Sequence, residues 1–223
     1  RRPTESVQTP GGVPDVVIQN IATDAQGMTS NAFLVAPGEG DGEAGSGGDA
    51  DGRTVLVDAG ANFDAVARVR EAVGDLDGVV LTHTHPDHVG NVDALREAFG
   101  VETWGYDTDE PAVDNAIADG DELRLGARDY RALYTPGHAT DHLCLYAADA
   151  GVLFAGDLVF ANGGFGRTDF PGCDRGDLID SIDRVLETVR EGGLDQLHTG
   201  HGPSVVDDPL AHVERASQAA RTG

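Results

Sequence analysis

Apolar positions fall into short blocks at two spacings. Residues 16–20, 32–35 and 54–57 are runs of β-branched and other apolar residues that predict strands. Between 63 and 73 the spacing changes, with Val66, Val69 and Val73 on one face of an expected helix. Gly78-Val79-Val80-Leu81 predicts another strand and 89–99 the helix after it. Further strands are expected over 101–104, 122–125, 130–135, 142–147 and 152–155. Leu178, Ile182, Val185 and Val189 recur at helical spacing within 177–190. A late strand over 194–198 and a helix over 209–221 close the chain. Strands, then helix, then strands occur in both halves, an α/β pattern. Residues 37–53 interrupt it with an acidic, Gly-rich stretch that cannot bury enough apolar surface to order itself. That stretch is expected to be an extended loop of a hairpin, and 1–14 a tail.

The polar residues at the ends of these blocks carry the chemistry. Thr82-His83-Thr84-His85-Pro86-Asp87-His88 follows the 78–81 strand directly and holds three of the eight histidines. A strand running into such a loop holds side chains rigidly at the mouth of a sheet. Imidazole and carboxylate are ligands that Zn, Fe and Mn accept. His138, Asp157 and His201 stand downstream, each after an apolar run and each preceded by Gly, which permits a sharp turn. Four separate segments thus offer five His and two Asp at strand ends. Asp58 ends the earlier run Val55-Leu56-Val57 and stands before Ala59-Gly60. Alone it also reads as a turn-forming residue.

The H-x-H-x-D-H run of His83, His85, Asp87 and His88, followed in order by His138, Asp157 and His201, resembles the metallo-β-lactamase superfamily. The resemblance extends from about residue 16 to the C-terminal helix. It implies a four-layer αββα sandwich forming a single domain over 1–223. It also implies a binuclear centre, with one divalent metal on His83, His85 and His138 and a second on Asp87, His88 and His201. Asp157 would bridge the two together with a hydroxide, and Asp58 would support the site without binding metal. Asp87 and Asp157 are then the catalytic carboxylates. Cys144 and Cys173 stand outside the motif, so the donor set is all nitrogen and oxygen; Zn is the first expectation, with Fe or Mn as alternatives. No G-x-S-x-G elbow or phosphate-binding glycine loop competes with this reading.

The run Gly166-Arg167-Thr168-Asp169-Phe170 is similar to loops of the glyoxalase II group and of the related persulfide dioxygenases. It places Phe165 or Arg167 near a bound acyl or thiol group; the alternative is that Arg167 simply pairs with an acid such as Asp169. Thioester hydrolysis suits a metal site, because a thiolate whose conjugate acid has a pKa of about 8.5 leaves without a strong general acid. The expected activity is therefore hydroxyacylglutathione hydrolase-like. The alternatives are an iron-dependent persulfide dioxygenase using His83, His138 and Asp157, and a lactonase.

Composition narrows the partners. The net charge is −24, and all 15 basic residues are Arg. An acidic surplus without Lys resembles proteins of salt-loving organisms, in which carboxylates hold water and ions and salt screens their repulsion. Nucleic acid is excluded as a partner, since phosphate neutralisation needs the opposite sign. A small acyl-thiol substrate is the expected partner. No run of 18 apolar residues predicts a membrane span. The first residues lack the apolar core of a secretory signal, so a cytoplasmic location is expected. Two distant cysteines make no disulfide framework.

Overall fold

The structure, a computed structural model, describes residues 16–25, 27–38 and 52–222. The expected tail, and all of the expected acidic loop except its ends, lie outside the described residues. The first half builds a six-stranded sheet from β1 (Val16–Asn20), β2 (Phe33–Pro37), β3 (Val55–Val57), β4 (Gly78–Val80), β5 (Thr103–Gly105) and β6 (Asn115–Ala116), in that spatial order. The β1–β2 and β2–β3 pairs are antiparallel; β3 to β6 run parallel. The second half builds a five-stranded sheet from β7 (Glu122–Leu125), β8 (Arg128–Tyr134), β9 (Leu143–Ala147), β10 (Val152–Phe154) and β11 (Gln196–His198), ordered β11-β10-β9-β8-β7. Its pairs are antiparallel except β10–β11, which is parallel. The helices are α1 (Ala65–Ala72), α2 (Pro86–Val89), α3 (Val92–Phe99), α4 (Arg175–Gly192) and α5 (Pro209–Thr222).

Period-two alternation explains the layering. Phe33, Val35, Val55, Val57 and Val80 face Leu125, Tyr130, Leu143, Leu145 and Phe154 between the sheets. The alternate residues Leu34, Leu56 and Val79 pack outward in one cluster with Val69 of α1 and Leu95 of α3. On the other side Leu133, Cys144 and Leu153 pack with Leu178, Ile182 and Val185 of α4 and Val213 of α5. Helices therefore cover both outer faces, and the four-layer αββα sandwich is the observed architecture. Both faces of the central strands are buried, so those strands read as unbroken apolar runs.

Three features depart from expectation. The helix expected over 89–99 is split at Gly90 and Asn91, because Asn91 Nδ2 turns back to donate to the Ala59 carbonyl. The C-terminal part of the histidine-rich run is itself a one-turn helix, α2, with Pro86 at its first position, where no N–H is needed. β6 was not foreseen; two residues carry no periodic signal. Among the described residues no helix is long and apolar enough to cross a membrane.

The parallel pairs bring the C-terminal ends of β3 and β4 together, and likewise those of β10 and β11. Backbone bonds Leu143 N–H to the Thr82 carbonyl and Asn31 N–H to the Gly200 carbonyl tie the two sheets at that edge. Every candidate ligand leaves the fold there or on the loop after β8.

Candidate metal centre

His83 and His85 follow β4, and α2 presents Asp87 and His88 one turn further on. His138 comes from the turn after β8, Asp157 from the turn after β10, and His201 from the turn after β11. The side chains of all seven converge. Ligand atoms of His83, His85 and His138 lie within 4.8 Å of one another, as do those of Asp87, His88 and His201, and those of His83, His88 and Asp157. Asp157 stands between the groups: Oδ2 is 3.4 Å from Nε2 of both His138 and His201, and Oδ1 is 3.5 Å from His88 Nε2. Four of the ligand residues, His83, His88, His138 and Asp157, are buried, whereas His201 keeps 37 % of its side-chain surface and opens the site to solvent.

The outer nitrogens fix the tautomers. His88 Nδ1 donates to Asp58 Oδ2 at 2.8 Å. Thr82 gives its hydroxyl proton to Asp58, also at 2.8 Å, and so accepts from His83 Nδ1 at 3.1 Å. His138 Nδ1 donates to the Arg167 carbonyl at 2.8 Å. In each ring the Nε2 lone pair is left facing the centre. Nε2 of His83 and of His138 each stand 3.0 Å from Nδ1 of His85, so three acceptor nitrogens face one point. His88 Nε2 and Asp157 Oδ1 are buried with no hydrogen-bond partner. Orphaned acceptors packed this closely need a cation between them. The residues present therefore fit divalent metal ions; His83, His85 and His138, and Asp87, His88 and His201, are sets that would hold them, with Asp157 between the two.

The electrostatics agree. Burial opposes a charge on Asp157, but the neighbouring His201, His88 and His83 rings outweigh it and hold the carboxyl well below its usual range. Burial likewise opposes a charge on His88, but Asp58 and Asp157 outweigh it and raise the ring to about 10. Hydrogen bonds to Asp157 and Asp87 raise His201 to about 9. Burial and the neighbouring imidazoles lower His83. Two of the rings thus bind protons tightly where a ligand must offer a lone pair, so metal uptake releases protons.

Close approach accounts for part of the glycine pattern. Gly137 and Gly156 take the positive φ values, +130° and +47°, that the sequence suggests. Gly200 does not; a methyl group there would overlap Asp157 Oδ1, so this glycine makes space rather than a turn.

The family profile of the metallo-beta-lactamase superfamily matches residues 48–205. The chain belongs to that superfamily. It is 39 % identical over 117 residues to a hydroxyacylglutathione hydrolase of Cereibacter sphaeroides, a match spanning 51 % of this chain and 46 % of that protein's length. The chain thus covers about half of that relative. Among solved structures, TTHA1623 in a di-iron-bound form superposes with a TM-score of 0.64 at 27 % identity, over 84 % of this chain and 93 % of that one. ETHE1 from Myxococcus xanthus gives 0.64 at 25 % identity, over 86 % and 85 %. Metallo-β-lactamase superfamily members bind divalent metals, and the His/Asp cluster stands where the fold gathers its loops.

Several residues at this superfamily site carry roles not read from the sequence. His142 is fully buried; its Nε2 accepts the backbone N–H of Asp157 at 3.0 Å, and its Nδ1 lies 2.8 Å from Thr135 Oγ1. Burial, with His138 beside it, lowers its pKa to about 3, so it stays neutral and fixes the Asp157 backbone. A histidine four residues after His138 was the available signal. Thr84 Oγ1 donates to Asp141 Oδ2 at 2.7 Å, anchoring the loop between His83 and His85. Phe165 packs against the α4–α5 core with the Arg175 guanidinium 4.3 Å above its ring. Phe170 is the ring beside the centre, edge-on to His85 at a centroid distance of 6.3 Å. Phe160 stands likewise against His201 at 6.2 Å. Arg167 pairs with Asp169, the alternative that the sequence offered for it, and lies over Phe170.

Proposed function

We propose that this protein is a binuclear metallohydrolase that cleaves acyl thioesters, a hydroxyacylglutathione hydrolase-like activity of the glyoxalase II type. The observation that carries the reading is the convergence of seven side chains around the orphaned His88 Nε2 and Asp157 Oδ1. Two divalent ions, when bound, would supply an acidified water and polarise a substrate carbonyl. The protein's own groups hold that arrangement: Asp58 and Thr82 orient His88 and His83, the Arg167 carbonyl orients His138, and His142 pins Asp157. Burial pushes the Cys144 thiol up to about 12, and Cys173 Sγ donates to the His138 carbonyl, so neither cysteine is presented as a nucleophile. Asp87 Oδ2, 3.1 Å from His201 Nε2 and partly exposed, is the carboxylate placed to pass a proton to solvent. A thiolate leaving group asks little of it. The relatives named hydroxyacylglutathione hydrolase support the substrate class.

We take Zn as the first metal, with Fe and Mn as alternatives on the same donors, a small acyl thiol rather than nucleic acid as the partner, and the cytoplasm as the location. A second reading, an iron-dependent persulfide dioxygenase on His83, His138 and Asp157, is favoured by the Gly166–Phe170 run. Lactone hydrolysis is the third reading, on the same ligands. The test is to assay metal-loaded protein against S-lactoyl thioesters, a persulfide with oxygen uptake, and a lactone panel. Thioester turnover that His85→Ala abolishes, with the fold retained, supports the proposal; oxygen uptake on a persulfide without hydrolysis overturns it.

A further inference from the structure

Beside the metal centre, one exposed guanidinium is already occupied. Arg167 donates from Nε to Asp169 Oδ1 at 2.9 Å and from Nη2 to Oδ2 at 2.6 Å, a two-pronged pairing that uses both carboxylate oxygens. The same guanidinium lies 4.5 Å above the ring of Phe170, which stands edge-on to His85, and the Arg167 carbonyl accepts from His138. Arg167 and Asp169 expose 67 % and 63 % of their side chains, and Phe170 is 43 % exposed. The lip beside His85 and His138 is thus an aromatic ring covered by a neutralised ion pair. Any ligand that approaches along Phe170 meets the Asp169 carboxylate together with Arg167.

Resting on the thioester-hydrolase reading, we propose that Asp169 sets carrier selectivity by masking Arg167. The site then still takes acyl thiols whose carrier bears carboxylates, glutathione among them, but binds them a few-fold more weakly than it would with Arg167 unmasked, whereas an uncharged carrier is unaffected. A carboxylate reaching for Arg167 must displace Asp169 or crowd against it, and the protein's net charge of −24 adds to the repulsion. An uncharged carrier pays neither cost and gains contact with Phe170. Asp169 acts through Arg167 and is a positioning residue, not a catalytic one.

The test uses two unreactive thioethers, S-methylglutathione and uncharged S-methyl-N-acetylcysteamine, titrated calorimetrically into zinc-loaded protein at low salt. Asp169→Asn should bind S-methylglutathione tighter by about two- to fivefold, the scale of an exposed ion pair, and leave the uncharged thioether unchanged. The gain should fade at high salt. Asp169→Glu should behave as wild type, and Arg167→Gln in the Asp169→Asn background should remove the gain. No gain, equal gains for both thioethers, or a gain that survives loss of Arg167 overturns the proposal. A parallel assay with the two S-lactoyl thioesters should show KM falling for the glutathione ester alone, with kcat unchanged. Absence of turnover in every protein sinks the hydrolase reading, while the binding titrations still decide the role of Asp169.

Discussion

Asp58 Oδ2 accepts a hydrogen bond from Nδ1 of His88 at 2.8 Å, and this pairing turns the lone pair of His88 Nε2 toward the cluster. Asp58 is 3 % exposed and sits at φ +59°, a left-handed conformation that Asp and Asn tolerate better than Ala. Asp58→Asn therefore keeps the backbone and removes only the charge and the acceptor pattern. It should weaken metal binding by roughly 10- to 100-fold, the usual cost of losing a ligand's outer partner. Competition with a chromophoric chelator measures this; an unchanged affinity would show that the Asp58–His88 bond is incidental.

Gly200 makes a steric prediction. Gly200→Ala places a methyl group on Asp157 Oδ1 and against the His88 ring, without any demand for positive φ. The variant should fold and lose metal. Elemental analysis of the variant beside the wild type decides it, and full occupancy would refute the packing argument.

His142 predicts a coupled defect. His142→Leu leaves the buried Asp157 N–H without a partner and takes from the Thr135 hydroxyl its shortest contact. The orphaned N–H alone costs about 1–3 kcal/mol, so thermal unfolding of the metal-free variant should come clearly earlier than that of metal-free wild type. Working in chelator separates this loss from any loss of metal. Coincident melting curves would contradict it.

The pH dependence of stability is set in part by His198, away from the metal ligands. Its ring packs against both Phe33 and Phe154, at 4.9 and 5.0 Å, and burial lowers its pKa to about 4. The folded state therefore favours the neutral ring. Its contribution is fully present above the unfolded value of about 6.5 and is lost as pH falls toward 4, reaching about 2 kcal/mol at pH 5. His198→Phe keeps an aromatic ring in that stack and removes the titration. Between pH 7.5 and 5 in chelator and high salt, wild type should lose about 2 kcal/mol more than the variant. Parallel losses in urea titrations would rule His198 out.

Much of the fold is legible because the central strands are buried on both faces and the helices on one. β4 and α4 show this plainly: an unbroken Gly-Val-Val run and a Leu-Ile-Val-Val stripe leave few alternatives. Boundaries near the site are less legible. The break at Gly90-Asn91 depends on a side chain reaching the Ala59 carbonyl, a contact between segments that local periodicity does not encode. The seven candidate ligands were visible because their spacing, strand ends and order act together. The groups that orient them were harder to see. His142 lacks a motif of its own, and the Arg167 carbonyl that orients His138 has no sequence signature at all, since any residue supplies a carbonyl. Phe165 and Phe170 are equally aromatic in the sequence; only the turn closed by the Cys173 N–H to Phe170 carbonyl bond and the packing of α4 separate the half-buried ring from the exposed one.

The most direct measurement is the metal stoichiometry of protein stripped with chelator and reloaded with Zn, Fe or Mn, read by elemental analysis and by titration. Seven converging ligands predict two ions per chain for at least one of these metals, with proton release on binding. A single ion per chain, or none under any loading condition, would contradict the binuclear centre on which the account depends.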